Sequence, residues 1–144
     1  ECIENEISAR AGLQLRRELS ATRKIAGGNG GSTIITGAYN LPAKYIIHPR
    51  TLDSGRPVQS LDPEDIQISY RNCLHLAWLN GICSVAFCTT LSELSRYTKF
   101  EVADIIALSV KEWLYENPNY DIKVIFCVFT DEDVKIFEDA LKRH

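Results

Sequence analysis

Hydrophobic residues follow a helical spacing in four parts of the chain. Apolar side chains recur every four residues over residues 3–19, which predicts one amphipathic helix there. Comparable spacing predicts further helices from residue 63 to about 80, from about 100 to 117, and after Thr130. The positions expected to be buried are Ile66, Tyr70, Cys73, Leu74, Ala77, Val102, Ile105, Ile106, Val110, Trp113, Val134, Phe137 and Leu141.

Short runs of β-branched and apolar residues separate these helices. Residues 33–36 and 44–48 flank a turn at residues 40–42 and predict two strands. Residues 82–88 and 122–129 are continuous apolar runs, typical of buried parallel strands. The order α-β-β-α-β-α-β-α predicts an α/β fold in which helices enclose a largely parallel or mixed sheet.

The helix boundaries carry local signals of their own. Asp62 precedes Pro63, which pairs an N-cap residue with a proline at the first helical position. Gly81 and Pro118 follow the ends of two predicted helices. Thr130 is expected to cap the last helix.

The composition fits one globular domain over residues 1–144, with 45% hydrophobic and 24% charged residues. The net charge is −3, so we expect no nucleic-acid partner. No apolar run reaches the roughly 18 residues of a membrane-spanning helix, so we expect no membrane association. The chain contains no methionine and begins at Glu1 inside a helical pattern. We interpret it as processed or as part of a larger protein.

Five cysteines occur, and their number is odd. They are Cys2, Cys73, Cys83, Cys88 and Cys127, and no two have the C-x-x-C spacing. Three lie in or beside apolar strand-like runs, where a free cysteine behaves as a small hydrophobic residue. This usage predicts a reducing compartment, the cytoplasm, and no disulfide framework.

Common catalytic motifs are missing from the chain, including the nucleophile elbow, the P-loop and the His-Glu-x-x-His zinc motif. The glycine-rich residues 27–31 precede a strand, which does not favour a phosphate cradle. For His48 no acid partner can be identified, so we expect a structural role. Phe129, at the end of the last strand, either stacks on a flat ligand or closes the core.

The segment after the strand at 82–88 lies where open α/β domains bind ligands. It reads Thr-Thr-Leu-Ser-Glu-Leu-Ser-Arg over residues 89–96 and has Glu93 at its middle. It contains no glycine, although close approach of a backbone to a phosphate favours one. By itself it is a polar turn at the expected ligand end.

Four stretches resemble the macrodomain, the fold that binds ADP-ribose. They are "CIENEISARAGLQLRREL" (2–19), "IITGAYNLPAKYIIH" (34–48), "YRNCLHLAWLNGICSVAFC" (70–88) and "VIFCVFTDEDVKIFEDAL" (124–141). Within that family they are most similar to the zinc-containing protein-ADP-ribose hydrolases of microbes. The resemblance implies a three-layer α/β/α sandwich, truncated at its N-terminus, with a mixed sheet of about four strands.

The resemblance also implies roles for residues near the start of the chain. Cys2 matches the last thiolate of a Cys/His/Cys zinc set, whose other ligands would precede Glu1. Glu4 stands where those enzymes have an Asp that assists hydrolysis, so it is the implied catalytic residue. Asn5 matches a ligand-binding asparagine of the family. No cofactor is expected in this form, and zinc only with upstream ligands.

Residues 89–98 correspond to the second phosphate loop of the family. The implied ligand-binding residues there are Ser92, Glu93 and Tyr97, with Glu93 at the position of a glycine and Thr98 at that of a proline. Phe129 matches the aromatic residue that contacts adenine.

A central strand of the family's sheet would precede Glu1. Without it, the strands at 44–48 and 82–88 border a gap, so we predict self-association through a bare sheet edge.

The resulting interpretation is a diverged macrodomain with weak or lost ADP-ribose binding and hydrolysis. Its partner would be ADP-ribose or an ADP-ribosylated protein. Two alternatives stay open: a working protein-ADP-ribose hydrolase or reader completed by residues outside this chain, and a non-catalytic interaction module. If the chain is an enzyme, it is an ADP-ribosyl-protein hydrolase.

Overall fold

The computed structural model describes residues 3–25, 33–49, 62–89 and 97–144. Within these ranges the chain forms five helices and four strands. The elements are α1 (Ile3–Ala11), α2 (Leu13–Ile25), β1 (Ile34–Gly37), β2 (Tyr45–His48), α3 (Pro63–Leu79), β3 (Ser84–Cys88), α4 (Lys99–Glu116), β4 (Lys123–Cys127) and α5 (Asp131–Arg143). Among the described helices, none has both the length and the apolar character needed to cross a membrane. The glycine-rich residues 27–31 lie outside the described residues.

The single helix predicted over residues 3–19 is wrong, because the structure has two helices there. Gly12 separates α1 from α2 with a φ of +99°, a left-handed value that glycine adopts without a steric penalty. Its N–H donates to the carbonyl of Ser8 at 3.2 Å and closes the last turn of α1. Ala11 and Leu15 are both buried, so the hydrophobic spacing continues across the break and conceals it.

The boundaries of the later helices are confirmed. Asp62 is the N-cap of α3, and Pro63 opens the helix. Gly81 follows the end of α3 with a φ of +66°. The Thr130 hydroxyl accepts a hydrogen bond from the N–H of Asp133 at 3.1 Å, so Thr130 caps α5 as expected.

The four strands form two separate pairs in the described part of the chain. β1 and β2 are antiparallel, with Ile34 opposite His48. β3 and β4 are parallel, with Ser84 beside Lys123. The α/β class is confirmed. The four strands form an antiparallel hairpin and a separate parallel pair, where the prediction was a mixed sheet of about four strands.

Helices α3, α4 and α5 cover one face of the β3–β4 pair. Leu74, Val110 and Trp113 form one buried cluster, against which Phe87 and Val124 of the strands pack. The second cluster lies mainly between α4 and α5, with Ile66 of α3. Burial is confirmed for Ile66, Cys73, Leu74, Ala77, Val102, Ile106, Val110, Trp113 and Phe137, whereas Tyr70, Ile105 and Leu141 are partly buried.

The prediction that Val134 is buried is wrong, since this side chain is 40% exposed. Ile136 and Ala140 lie on the buried side of α5 instead, beside Phe137. The first turn of α5 is rotated so that Asp133, rather than Val134, faces the protein.

The opposite face of the β3–β4 pair carries the exposed side chains of the two strands, together with partly exposed Cys127. We call it the open face, and its residues are Ser84, Ala86, Cys88, Lys123, Ile125 and Cys127. Ile125 on this face is 40% exposed.

Candidate functional site

The candidate site lies at the carboxyl end of the β3–β4 pair, where open α/β sheets bind ligands. Thr89 follows β3, and its N–H donates to the carbonyl of Cys127 at 3.1 Å, which extends the strand pairing by one step. The Thr89 hydroxyl lies 2.8 Å from the hydroxyl of Tyr70. Burial raises the pKa of Tyr70, so it stays protonated and can donate. Thr89, which directly precedes residues 90–96, is therefore held both by β4 and by α3.

The N-terminus of α4 lies at this end and is closed by a capping box. The Thr98 hydroxyl accepts from the N–H of Glu101 at 3.3 Å, and the Glu101 carboxylate accepts from the N–H of Thr98 at 2.8 Å. A helix N-terminus attracts anions through its free backbone N–H groups. The Glu101 carboxylate already accepts from one N–H group at this end, so a phosphate would have one fewer donor to bind.

The N-terminus of α5 is joined to α4 by an ion pair. Lys99 donates to the carboxylate of buried Asp133 at 3.1 Å and lies 3.9 Å from Glu132. The hydrogen bond to Asp133 is the main reason that the pKa of Lys99 is raised above its ordinary value. The positive charge of Lys99 is thus compensated by acids of α5.

Phe129 is 59% exposed, two residues beyond the end of β4. The sequence left two roles open for Phe129, stacking on a flat ligand or closing the core. Its exposure excludes the second role, and its aromatic ring is accessible for the first. Tyr97 is partly buried against the cluster that contains Val102 and Ile106. The structure therefore presents Phe129 to solvent and packs part of Tyr97 onto the core.

The remaining predicted site residues lie wholly or partly outside the described part of the structure. Cys2, Ser92 and Glu93 lie outside the described residues. Glu4 and Asn5 lie in the helical backbone of α1, and their side chains are not described. Among the residues that are described, no group of three potential ligands could hold a metal ion.

A second polar cluster, which the sequence does not predict, joins β1 to the first helices. The Glu18 carboxylate of α2 accepts from the N–H of Gly37 at 3.3 Å and from the hydroxyl of Tyr39. Hydrogen bonding to Glu18 raises the pKa of Tyr39. The N–H of Asn40 donates to the carbonyl of Ala11 at 3.3 Å. Tyr39 has a φ of +51°, which marks a tight turn. A tyrosine gives no sign of this backbone conformation in the sequence.

His48 supports the expected structural role. Its Nε2 atom lies 2.9 Å from the hydroxyl of Thr36 on the neighbouring strand. Thr36 is buried, so this contact satisfies a polar group inside the β1–β2 hairpin.

The family model for the Macro domain matches residues 1–106. The chain belongs to the macrodomain family. The protein-ADP-ribose hydrolase of Staphylococcus aureus (strain MSSA476) is 36% identical over 146 residues, covering 99% of this chain and 54% of the relative. The ADP-ribose glycohydrolase MACROD2 of Homo sapiens is 36% identical over 124 residues, covering 85% of this chain and 29% of the relative.

The fold comparison agrees with the family. A solved macrodomain of Oceanobacillus iheyensis with ADP has a TM-score of 0.83 and 25% sequence identity, covering 99% of this chain and 76% of that structure. The resemblance found in the four sequence stretches is thereby confirmed at the level of family and fold. This macrodomain spans about half the length of the Staphylococcus hydrolase that it matches.

Proposed function

We propose that this macrodomain is a diverged member of the lineage that recognises and removes ADP-ribose, and that binding and hydrolysis are weak or lost in this form. One observation carries the proposal: residues 89–98, which resemble the family's second phosphate loop, contain no glycine and have Glu93 at the position that the resemblance assigns to one. Its ligand would be ADP-ribose, free or attached to a protein.

The charges beside the loop support the same conclusion. Glu101 caps α4, and three acids occupy the first turn of α5. Lys99 is compensated by Asp133 and Glu132. Carboxylates near the two helix N-termini would repel a diphosphate, and the nearby charge of Lys99 is already compensated.

The expected loss of affinity can be bounded. A carboxylate about 4 Å from a phosphate charge is repelled by roughly 1 kcal/mol in water and by about 4 kcal/mol near a protein surface. A residue that lacks the freedom of glycine at a strained position costs about 1 kcal/mol more. Together these terms can change a micromolar affinity, about −8 kcal/mol, to a millimolar one.

We expect the adenine end of the site to be better preserved. Phe129 is accessible, and the resemblance assigns it the position of the family's adenine-contacting aromatic residue. Aromatic stacking contributes about 0.5–1.5 kcal/mol beyond area burial. We therefore expect weak binding to be dominated by the adenine and to be lost on Phe129→Ala.

Calorimetric titration with ADP-ribose tests the proposal. The unmodified chain should give no saturable heat below about millimolar ligand. Glu93→Gly should tighten binding at least about tenfold, and Glu93→Gln, which removes only the charge, should recover part of that gain. Glu112→Gln removes an exposed charge from α4 and serves as the matched control. Micromolar binding by the unmodified chain would overturn the proposal.

A working hydrolase or reader, completed by residues outside this chain, is the second candidate. It is favoured by 36% identity to a named hydrolase over 99% of this chain. Cys2 would then be the last ligand of a zinc set, and Glu4 would polarise the attacking water. Zinc analysis and hydrolysis of an ADP-ribosylated protein, with Glu4→Gln and Cys2→Ser as variants, distinguish this candidate from the first.

We also propose self-association through an open strand edge. In the described part, β2 and β3 have no strand bonded between them, and each pair has only two strands. Unpaired strand edges favour pairing with another chain. Such pairing would also be a binding mode for the alternative function, a non-catalytic interaction module. Light scattering over a range of concentrations should show a mass above that of the monomer, and a constant monomeric mass would contradict this proposal.

A reducing compartment such as the cytoplasm fits the chemistry of the chain. Cys73, Cys83, Cys88 and Cys127 are all free thiols. Thiols of this kind persist where glutathione keeps them reduced. Fractionation of cells that express the protein tests the assignment.

A further inference from the structure

Cys88 and Cys127 lie side by side on the open face, at the carboxyl ends of β3 and β4. They are register partners in the parallel pair. Paired strands lie about 4.8 Å apart, and disulfide-bonded cysteines have Cα atoms about 4.4–6.8 Å apart. Because partners in register point to the same face, the two thiols are placed for bonding without a large shift of the backbone.

Both thiols are free and accessible from solvent, since Cys88 is exposed and Cys127 is partly exposed. The other described cysteines lack this arrangement. Cys73 is buried in α3, where burial raises the pKa of its thiol to about 12. Cys83 is exposed but precedes β3, at the opposite end of the strand.

The two sulfur atoms also interact. Partial burial is the main cause of the raised pKa of Cys88, and the Cys127 thiol adds to it through its charge and a hydrogen bond. Cys88 is therefore held as a thiol near neutral pH and gains no stability as a thiolate. Dithiols stabilised as thiolates are strong oxidants once oxidised, and Cys88 lacks that property.

We propose that Cys88 and Cys127 form a reversible dithiol modification site, which low-molecular-weight disulfides such as oxidised glutathione convert to a cross-strand disulfide. This proposal does not rest on the proposed binding of ADP-ribose. Thr89, directly after Cys88, begins the candidate phosphate loop, so the disulfide would also fix the point from which that loop starts.

The reaction proceeds by two exchange steps. A cysteine thiolate attacks one sulfur of oxidised glutathione, forms a mixed disulfide and releases glutathione as a thiolate that takes up a proton. The second cysteine then attacks the protein sulfur of the mixed disulfide and releases the second glutathione in the same way. The protein dithiol is oxidised by two electrons, and oxidised glutathione is reduced to two thiols.

The test uses the chain with Cys2→Ser and Cys83→Ser, so that only the pair and buried Cys73 remain. Oxidised glutathione should remove two hydrogen atoms from the intact mass, leave no glutathione adduct and give a linked peptide that contains Cys88 and Cys127. The disulfide closes a long loop and should raise Tm by about 5 °C or more. Dithiothreitol should reverse both changes.

Adding Cys88→Ser to that chain is the matched control. It removes the resolving thiol, so a stable glutathione adduct on Cys127 should accumulate. The proposal is overturned if the intact pair accumulates adducts, or stays reduced under conditions that modify Cys83 in the unmodified chain.

A second measurement avoids any variant at the pair. Phenylarsine oxide binds two adjacent thiols at once, so the chain with Cys2→Ser and Cys83→Ser should bind one arsenical per molecule. Prior oxidation with glutathione disulfide should abolish this binding. Absence of arsenical binding to the reduced chain would also overturn the proposal.

Discussion

The two strand pairs of this macrodomain are held in place by different kinds of contact. The β1–β2 hairpin is joined to α1 and α2 by directional hydrogen bonds, chiefly from Gly37 and Tyr39 to Glu18. The β3–β4 pair instead rests on a broad apolar surface of three helices, with Phe126 stacked on Phe137 at 5.0 Å between ring centroids.

This difference shows how one small fold can be stabilised in two ways. Apolar packing loses stability mainly through cavities, whereas a hydrogen-bonded turn loses it through small changes in geometry or charge. Substitutions matched in type should therefore have unequal effects in the two regions.

The largest effect is expected from Leu74→Ala in the β3–β4 region. Leu74 is completely buried, and such truncations lower the free energy of unfolding by about 2–5 kcal/mol. Denaturant titration measures the change, with Leu79→Ala on the same helix as control, because Leu79 is 62% exposed. Similar losses in the two variants would contradict the assignment of the core.

Alkaline pH should destabilise the same region. The pKa of Cys73 is raised to about 12 from 9.0, and that of Tyr70 is also raised, so the folded protein holds these protons while the unfolded chain releases them. Stability should be unaffected below about pH 9 and fall above it by up to about 1.4 kcal/mol per pH unit for each group. Chemical unfolding from pH 8 to 11 should show a shallower slope for Cys73→Ala, and an unchanged slope would refute the link.

In the hairpin region, Gly12→Ala tests the dependence on geometry. An added Cβ atom would lie 2.8 Å from the Asn40 amide nitrogen, and the φ of +99° is unfavourable for alanine. We expect a loss of about 1–3 kcal/mol in thermal or denaturant unfolding. Gly81→Ala is the matched control, since its φ is +66° and no atom lies within 4 Å of the added carbon. Gly12→Ala should cost clearly more than this control.

The smallest effect is expected from Glu18→Gln, which keeps the shape but removes the charge that Tyr39 contacts. A small loss of stability is expected, because the contact lies at the surface. The pKa of Tyr39 should also move down toward its ordinary value, because hydrogen bonding to Glu18 raises it. Spectrophotometric titration, with Tyr39→Phe subtracted to isolate this residue, measures the shift. An unmoved pKa would show that Glu18 is not its cause.

The sequence was sufficient to predict the order of elements and most helix boundaries, because caps and breakers such as Asp62, Thr130 and Gly81 act locally. It failed at Gly12, because buried residues continue at helical spacing on both sides of the break and conceal it. It also failed at Val134, because the rotation of α5 depends on the pairing of Asp133 with Lys99.

The candidate site was predictable only where local pattern suffices. Phe129 was predicted as the last residue of a strand and lies two residues beyond the end of β4. The capping box of Thr98 and Glu101 is readable from its spacing. The contact of Glu18 with Tyr39 and the pairing of Cys88 with Cys127 join distant parts of the chain. Such contacts follow from strand register and helix packing, which one sequence does not fix.

The topology of the two strand pairs also has a consequence for the order of folding. Ile34 and His48 close a short hairpin, whereas Ser84 meets Lys123 only after α4 has crossed between them. Closing the longer loop costs more chain entropy, so the parallel pair should form late and its residues should be native-like only near the end of folding. Pulse-labelled hydrogen exchange should therefore protect the amides of β1 and β2 before those of β3 and β4.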